Sequence, residues 1–263
     1  MSRIIAITNQ KGGVGKTTTC VNLAAALALT RRRVLLVDLD PQGNATMGSG
    51  VDKHELEWSA CDVLLGDVGI RQAIMSPEAA GYEVLPANSD LTAAEVGLLQ
   101  AEGREGRLRD ALAEVADRYD YILIDCPPSL NMLTINALAA ADSVLIPIQC
   151  EYYALEGLSA LLQTIEQVRA GVNPRLEVEG LLRTMFDARN NLANQVSEQL
   201  IEHFGDKVYR TIVPRNVRLA EAPSHGMPVL RYDKASRGAR AYLALAGELV
   251  RRDQEALAVA ERG

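Results

Sequence analysis

Several apolar runs in this chain are hydrophobic at consecutive rather than alternating positions: Val34-Leu35-Leu36-Val37, Ile122-Leu123-Ile124 and Val144-Leu145-Ile146-Pro147-Ile148. A strand with one wet face alternates apolar and polar side chains, so an unbroken run requires cover on both faces. Strand-like segments at Ile4–Thr8, Val34–Asp38, Tyr82–Pro86, Tyr121–Asp125, Ser143–Ile148, Val178–Met185 and Val208–Pro214 alternate with helical patterns. The helices are expected at Lys16–Leu29, Arg104–Ala116, Leu130–Ala141, Leu155–Ala170, Asn191–Phe204 and Ser236–Arg252. This alternation predicts right-handed crossovers and an α/β fold, a mainly parallel twisted sheet with helices on both faces. No repeat, low-complexity tract or linker divides the 263 residues, so one domain over 1–263 is expected, with about 253–263 a candidate disordered tail. The least regular stretch, Gly43–Pro77, reads either as a loop-rich excursion carrying a switch or as a mobile insertion.

Composition narrows the function classes. A net charge of −7 excludes a generally basic nucleic-acid coat, though not a local basic face. Aromatic residues make up 4%, too few for base-stacking platforms on single strands. No apolar run approaches the roughly 20 residues that span a bilayer, and MSRIIAIT lacks the build of a signal peptide. Cys20, Cys61, Cys126 and Cys150 are scattered without a CxxC pair, which points to reduced, mostly buried thiols in a cytoplasmic protein.

The strongest local signal is Lys11-Gly12-Gly13-Val14-Gly15-Lys16-Thr17-Thr18, between the first strand and the first helix. A glycine-rich turn can aim several backbone N–H groups at phosphate without side-chain obstruction, and the next helix adds its positive end. Lys16 would reach the β- and γ-phosphates, Thr17 would ligate Mg²⁺ and Thr18 would lie by the α-phosphate. The first glycine of the usual G-x-x-x-x-G-K-[ST] pattern is replaced by Gln10, and a second lysine, Lys11, follows it. Lys11 either points across an interface to another subunit's nucleotide or is a solvated loop lysine; spacing does not separate the two.

Two strand ends supply acids. In Val37-Asp38-Leu39-Asp40-Pro41-Gln42-Gly43-Asn44, alternation places Asp38 and Asp40 on one side. Asp40 is then a candidate to orient or deprotonate an attacking water, and Asp38 to hold waters on the metal. In Tyr121-Ile122-Leu123-Ile124-Asp125-Cys126-Pro127-Pro128, four apolar residues lead into one Asp, the Walker B arrangement of a P-loop NTPase. Asp125 would hold Mg²⁺ directly or through water.

These segments, with IQCEYYALEGL and IVPRNVRLAEAPSHG, resemble the ParA-type partition ATPases of the MinD/ParA branch of P-loop proteins, over Ile5 to about His225. The first strand begins almost at Met1, so the resemblance is to the short chromosomal, Soj-like type without an N-terminal helix-turn-helix domain. It implies an ATP- and Mg²⁺-dependent sandwich homodimer in which Lys11 reaches the partner's phosphates and bulk at Gly12 blocks close approach. Lys11, Lys16 and Asp40 are the implied catalytic residues. The loop Lys11 to Thr18 binds the phosphates, and Thr17, Asp38 and Asp125 serve the metal, the two acids through water. Pro214-Arg215-Asn216 resembles the adenine-side loop, and Met185-Phe186-Asp187 is a candidate wall of the same pocket.

The resemblance also implies non-specific binding to double-stranded DNA, hydrolysis stimulated by a ParB-type centromere-binding partner, nucleoid association and no membrane role. Between Tyr209 and Arg240 seven basic residues face only Glu221 and Asp233, a net +5 that leaves −12 on the rest. Arg189 and Arg218 match positions implicated in DNA binding in the family. Two copies in register would double the phosphate contacts, on which affinity depends steeply. The alternative is a MinD-like membrane-associated division ATPase, which ATP-dependent vesicle binding would favour; the tail RRDQEALAVAERG lacks the large apolar residues of a membrane-targeting helix. A metallocluster-carrier ATPase would need bridging cysteines and shows no CxxC. Asn131-Met132 departs from the smaller residues common after the Walker B Asp.

Overall fold

The computed structural model describes residues 2–260. Seven parallel strands form one sheet: β1 (Arg3–Ile7), β2 (Val34–Asp38), β3 (Glu83–Leu85), β4 (Tyr121–Asp125), β5 (Ser143–Gln149), β6 (Glu177–Phe186) and β7 (Val208–Pro214), in the order β3-β2-β4-β1-β5-β6-β7. The helices are α1 (Lys16–Leu29), α2 (Asn44–Gly48), α3 (Ala60–Leu65), α4 (Ile70–Ala73), α5 (Leu91–Leu98), α6 (Arg107–Ala113), α7 (Met132–Ala140), α8 (Ala154–Gly171), α9 (Asn191–Phe204), α10 (Val217–Glu221), α11 (Val229–Tyr232) and α12 (Arg237–Ala260).

The expected burial on both sides holds residue by residue. Leu35 and Val37 of β2 enter one core with α3, α5, α6, α7 and α8, while Val34 and Leu36 enter the other with α1 and α12. Helix α1 is almost wholly apolar beyond its first turn because the sheet covers one side and α12 another. The edge strand β7 is shielded by α12: Glu248 accepts the Arg210 and Thr211 N–H groups, and Arg252 donates to the Val208 carbonyl. Such cover blunts an edge that could otherwise pair with another chain.

Gly43–Pro77 departs from the loop-rich expectation, because it contains α2, α3, α4 and an antiparallel bridge from Met75 to Val84. Ser59 and Asp62 form a capping box on α3, a signal readable in the sequence. Helix α5 was also absent from the sequence expectation. The Arg104–Ala116 helix is shorter than expected: a 3-10 turn precedes α6, which ends at Ala113. The candidate disordered tail from about 253 is helical as far as Ala260; residues 261–263 lie outside the described residues.

Register places the chemistry. Ile7 is opposite Asp125 on one side of β4, and Asp38 is opposite Asp125 on the other. The C-terminal ends of β1, β4 and β2 therefore form one row, from which the glycine-rich loop and both acidic segments depart. Crevices at the carboxyl ends of parallel strands are the usual ligand sites of such sheets.

Candidate nucleotide and metal site

The loop from Asn9 to Gly15 is fixed from three directions. Asn9 donates to the Pro147 carbonyl (2.8 Å) and accepts the Lys11 N–H (3.0 Å). Thr184, near the end of β6, donates its hydroxyl to the Val14 carbonyl (2.7 Å). Gly15 begins α1 with φ 91°, left-handed backbone that a Cβ would strain. Lys16 is 7% exposed, and its ammonium donates to the Lys11 carbonyl at 3.3 Å. Burial pushes the Lys16 pKa down, against the pull of Asp125 and Asp40.

A cavity of about 540 Å³ opens beside this loop. Its wall includes Gly12, Gly13, Gly15, Lys16, Thr17 and Thr18, so the structure brings most of the expected phosphate site together. Val14 is instead buried beneath it, tied to Thr184 through its carbonyl. Asp40 and Asn44 face the phosphate end. At the other end Met185, Pro214, Arg215 and Asn216 all line the cavity, as expected from the sequence. Phe186 and Asp187 do not line it.

Sequence reasoning missed the apolar part of this wall, Val213, Val217, Leu219 and Tyr242. Their signal was hidden because three come from the strand-to-helix turn around α10 and one from α12, far away in the chain. Met185 has φ 48°, left-handed for a non-glycine residue, a strain that marks sites where side-chain direction matters. The Asn216 side-chain oxygen is buried with no hydrogen-bond partner, so the turn at this end of the cavity carries an unsatisfied acceptor.

The two strand-end acids divide their labour. Asp125 is fully buried and neither carboxylate oxygen accepts a hydrogen bond of normal geometry. Burial, then the nearby Asp38 charge, push its pKa well up; the Thr17 hydroxyl and Lys16 pull in the opposite direction. An unpartnered buried carboxylate beside a hydroxyl is the donor set a hard cation would satisfy. Among the described residues no cluster of three or more His, Cys, Asp or Glu could hold a metal, so Mg²⁺ here would rely on Thr17, the phosphates and water held by Asp125.

Asp38, expected to serve metal-bound water, has its oxygens engaged by the chain. One accepts from the Thr46 N–H and hydroxyl (both 2.8 Å), the other from the Asp40 N–H (3.1 Å). Burial raises its pKa to about 6, with Thr46 opposing the rise. The Thr46 hydroxyl also accepts the Ala87 N–H (2.8 Å), so Asp38 fixes the start of α2 to the ends of β2 and β3. Gly43, with φ 60°, makes the turn between Asp40 and α2, and a Cβ there would lie 2.6 Å from the Ala87 carbonyl oxygen. Asp40 is 9% exposed and accepts the Gln42 N–H (2.9 Å).

Lys11 lies outside the cavity wall on the exposed rim, paired with Glu151 at 2.5 Å. Beside it Tyr152 and Tyr153 are 74% and 67% exposed. Arg189 is 90% exposed and chelated by Asp187, and Arg218 pairs with Glu221 and Asp233. A separate depression, lined by Arg183, Arg210, Glu248 and Arg252, lies at the shielded β7 edge and contains none of the expected site residues. The four cysteines are free and buried, as expected.

Known proteins resemble this chain in sequence and fold. Residues 2–178 match the model of a family described as an AAA domain. The chain is 57% identical over 249 residues to the sporulation initiation inhibitor protein Soj of Bacillus subtilis, covering 95% of this chain and 98% of that one. It is 56% identical over 253 residues to the chromosome partitioning protein ParA of Myxococcus xanthus, covering 96% and 89%. Among solved structures, cobyrinic acid a,c-diamide synthase of Mycobacterium smegmatis, with bound ADP and magnesium, superposes with a TM-score of 0.85 at 40% identity, over 97% of this chain and 96% of that one. Identity at more than half the residues over nearly the full length of these relatives makes this chain a member of the ParA/Soj family of chromosome-partitioning ATPases.

Proposed function

We propose that the chain is a nucleotide switch for chromosome or plasmid partition: ATP and Mg²⁺ assemble a sandwich homodimer, the dimer binds double-stranded DNA without sequence preference, and a ParB-type partner stimulates slow hydrolysis that releases it. The observation that carries this reading is the placement of two lysines with different surroundings. Lys16 is buried on the phosphate loop, whereas Lys11 projects from the rim beside exposed tyrosines. Lys16 neutralises phosphate within its own chain. Lys11 leaves Glu151 and reaches phosphate held by a second copy, and such a trade between surface charges costs little.

Thr17 would hold the metal and Asp125 would hold a water on it. Mg²⁺, when bound, neutralises charge on the β- and γ-phosphates. Asp40 orients the attacking water and accepts its proton, with Asp38 and Thr46 fixing the backbone that carries it. The base packs between Met185 and the Pro214–Asn216 turn. Arg189 and Arg218 contribute to a DNA-facing surface on each copy, and the protein works in the cytoplasm on the nucleoid. Magnesium ADP in the M. smegmatis structure supports the cofactor assignment. Relatives named for partition are more similar to the chain than that synthase, which favours partition as the role.

The test is Asp40→Ala. It is expected to keep ATP-dependent dimerisation and DNA binding while losing turnover by roughly a hundredfold or more; normal hydrolysis would remove Asp40 from this role. Reversing the charge of Arg189 or Arg218 is expected to abolish DNA binding with dimerisation intact, and an unchanged salt-dependent affinity would remove the surface.

A further inference from the structure

The basic segment from Tyr209 to Arg240 contains two acids, Glu221 and Asp233, and both are placed on one arginine. Arg218 donates to Glu221 at 2.8 Å and lies 3.4 Å from Asp233. Tyr232 adds a hydroxyl contact to Glu221 at 3.3 Å. The other candidate DNA contact is held in the same way: Arg189 makes a two-pronged pair with Asp187, at 2.9 and 2.8 Å, in the planar geometry that a phosphate would also use. Resting on the DNA-binding reading above, we infer that Asp187, Glu221 and Asp233 are built-in phosphate mimics that occupy these two arginines until the DNA backbone displaces them.

Both pairs adjoin the nucleotide cavity. Asp187 is two residues beyond the strained Met185 of the cavity wall. Arg218 stands on α10 between Val217 and Leu219, which line it. A base filling that end of the cavity therefore bears on the segments that carry both masks. The pairs are solvent-exposed and individually weak, so they bias DNA binding rather than forbid it. In a single chain the masks take two arginines out of the charge offered to a duplex. Two chains fixed together can break the four sets of pairs against one phosphate array.

The test compares the mask with an equal change of charge elsewhere. Full-length Asp187→Asn and Glu221→Gln/Asp233→Asn are set beside Glu198→Gln and Glu198→Gln/Glu202→Gln; Glu198 and Glu202 are exposed on α9 and have no ion pair among the described residues. Anisotropy of a labelled duplex of arbitrary sequence is read with no nucleotide, with ADP and with a non-hydrolysable ATP analogue and Mg²⁺. The mask variants are expected to bind about three- to fivefold more tightly per relieved arginine than their matched controls, with the largest gain in the states that bind weakly. Equal affinities of mask variants and controls, with wild type binding DNA in the ATP state, would overturn the mask and leave the DNA surface standing. If neither wild type nor mask variants bind in any state, the DNA surface falls and the mask with it.

Discussion

At the residue scale, the central feature is an aspartate placed where the protein alone does not satisfy it. Asp125 is buried, faces Asp38 across one row of the sheet and has no conventional hydrogen bond. Both acids titrate above the usual carboxylate range, so the folded chain holds their protons more tightly than the unfolded chain does. Their stabilising contribution is therefore full at low pH and declines as pH rises above the ordinary carboxylate range of about 4, through about 6 for Asp38 and further upward for Asp125. Asp125→Asn should stabilise the chain in chelator at neutral pH by about 1–3 kcal/mol and flatten that decline, read by urea unfolding at several pH values. It should also lose Mg²⁺-dependent nucleotide binding. A variant destabilised in chelator would mean that the carboxylate has a partner within the fold. Gly12 makes a complementary point, since a Cβ there would meet nothing within 4 Å in the isolated chain. Gly12→Val should leave the unfolding midpoint within about 0.5 kcal/mol of wild type while abolishing ATP-dependent dimerisation, measured by light scattering.

At the element scale, local pattern carried some pieces and long-range contacts the others. Helix α1 and strands β2, β4 and β7 were legible to the residue because apolar runs end sharply at charged, glycine or proline positions. Helix α2 was not, because its first turn is capped from outside: Asp38, on the preceding strand, accepts the Thr46 N–H. No local spacing announces such a cap. The Asp38 carboxylate was legible as an acid in the site, but its hold on α2 through Thr46 was not. The phosphate loop was readable because its chemistry is contiguous, whereas Tyr242 reaches the cavity only through packing of α12 on α1. Thr46→Val removes a hydroxyl that donates to Asp38 and accepts from Ala87 without changing the side chain's shape. It should destabilise the fold by about 1–3 kcal/mol in urea unfolding and slow turnover without weakening ATP affinity. Unchanged turnover would separate α2 from the positioning of Asp40.

At the scale of the whole molecule, an acidic body carries its basic surplus in one segment near the nucleotide cavity, and its unusual lysine on an exposed rim. On the proposed reading neither feature accomplishes much in a single copy: one loop lysine is paired to Glu151, and two arginines are paired to acids of their own chain. In the switch proposed above, pairing of two chains would connect them, bringing Lys11 to a second nucleotide and aligning two basic segments on the same DNA. The most direct measurement is molecular mass together with duplex affinity for wild type and Lys11→Ala, each with ADP and with a non-hydrolysable ATP analogue and Mg²⁺. Wild type should double its mass and gain DNA affinity only with the ATP analogue, while Lys11→Ala should bind the analogue yet stay single and bind DNA as weakly as in ADP. A Lys11→Ala protein that still pairs and holds DNA like wild type, or a wild type that holds DNA equally well in ADP, would contradict the account.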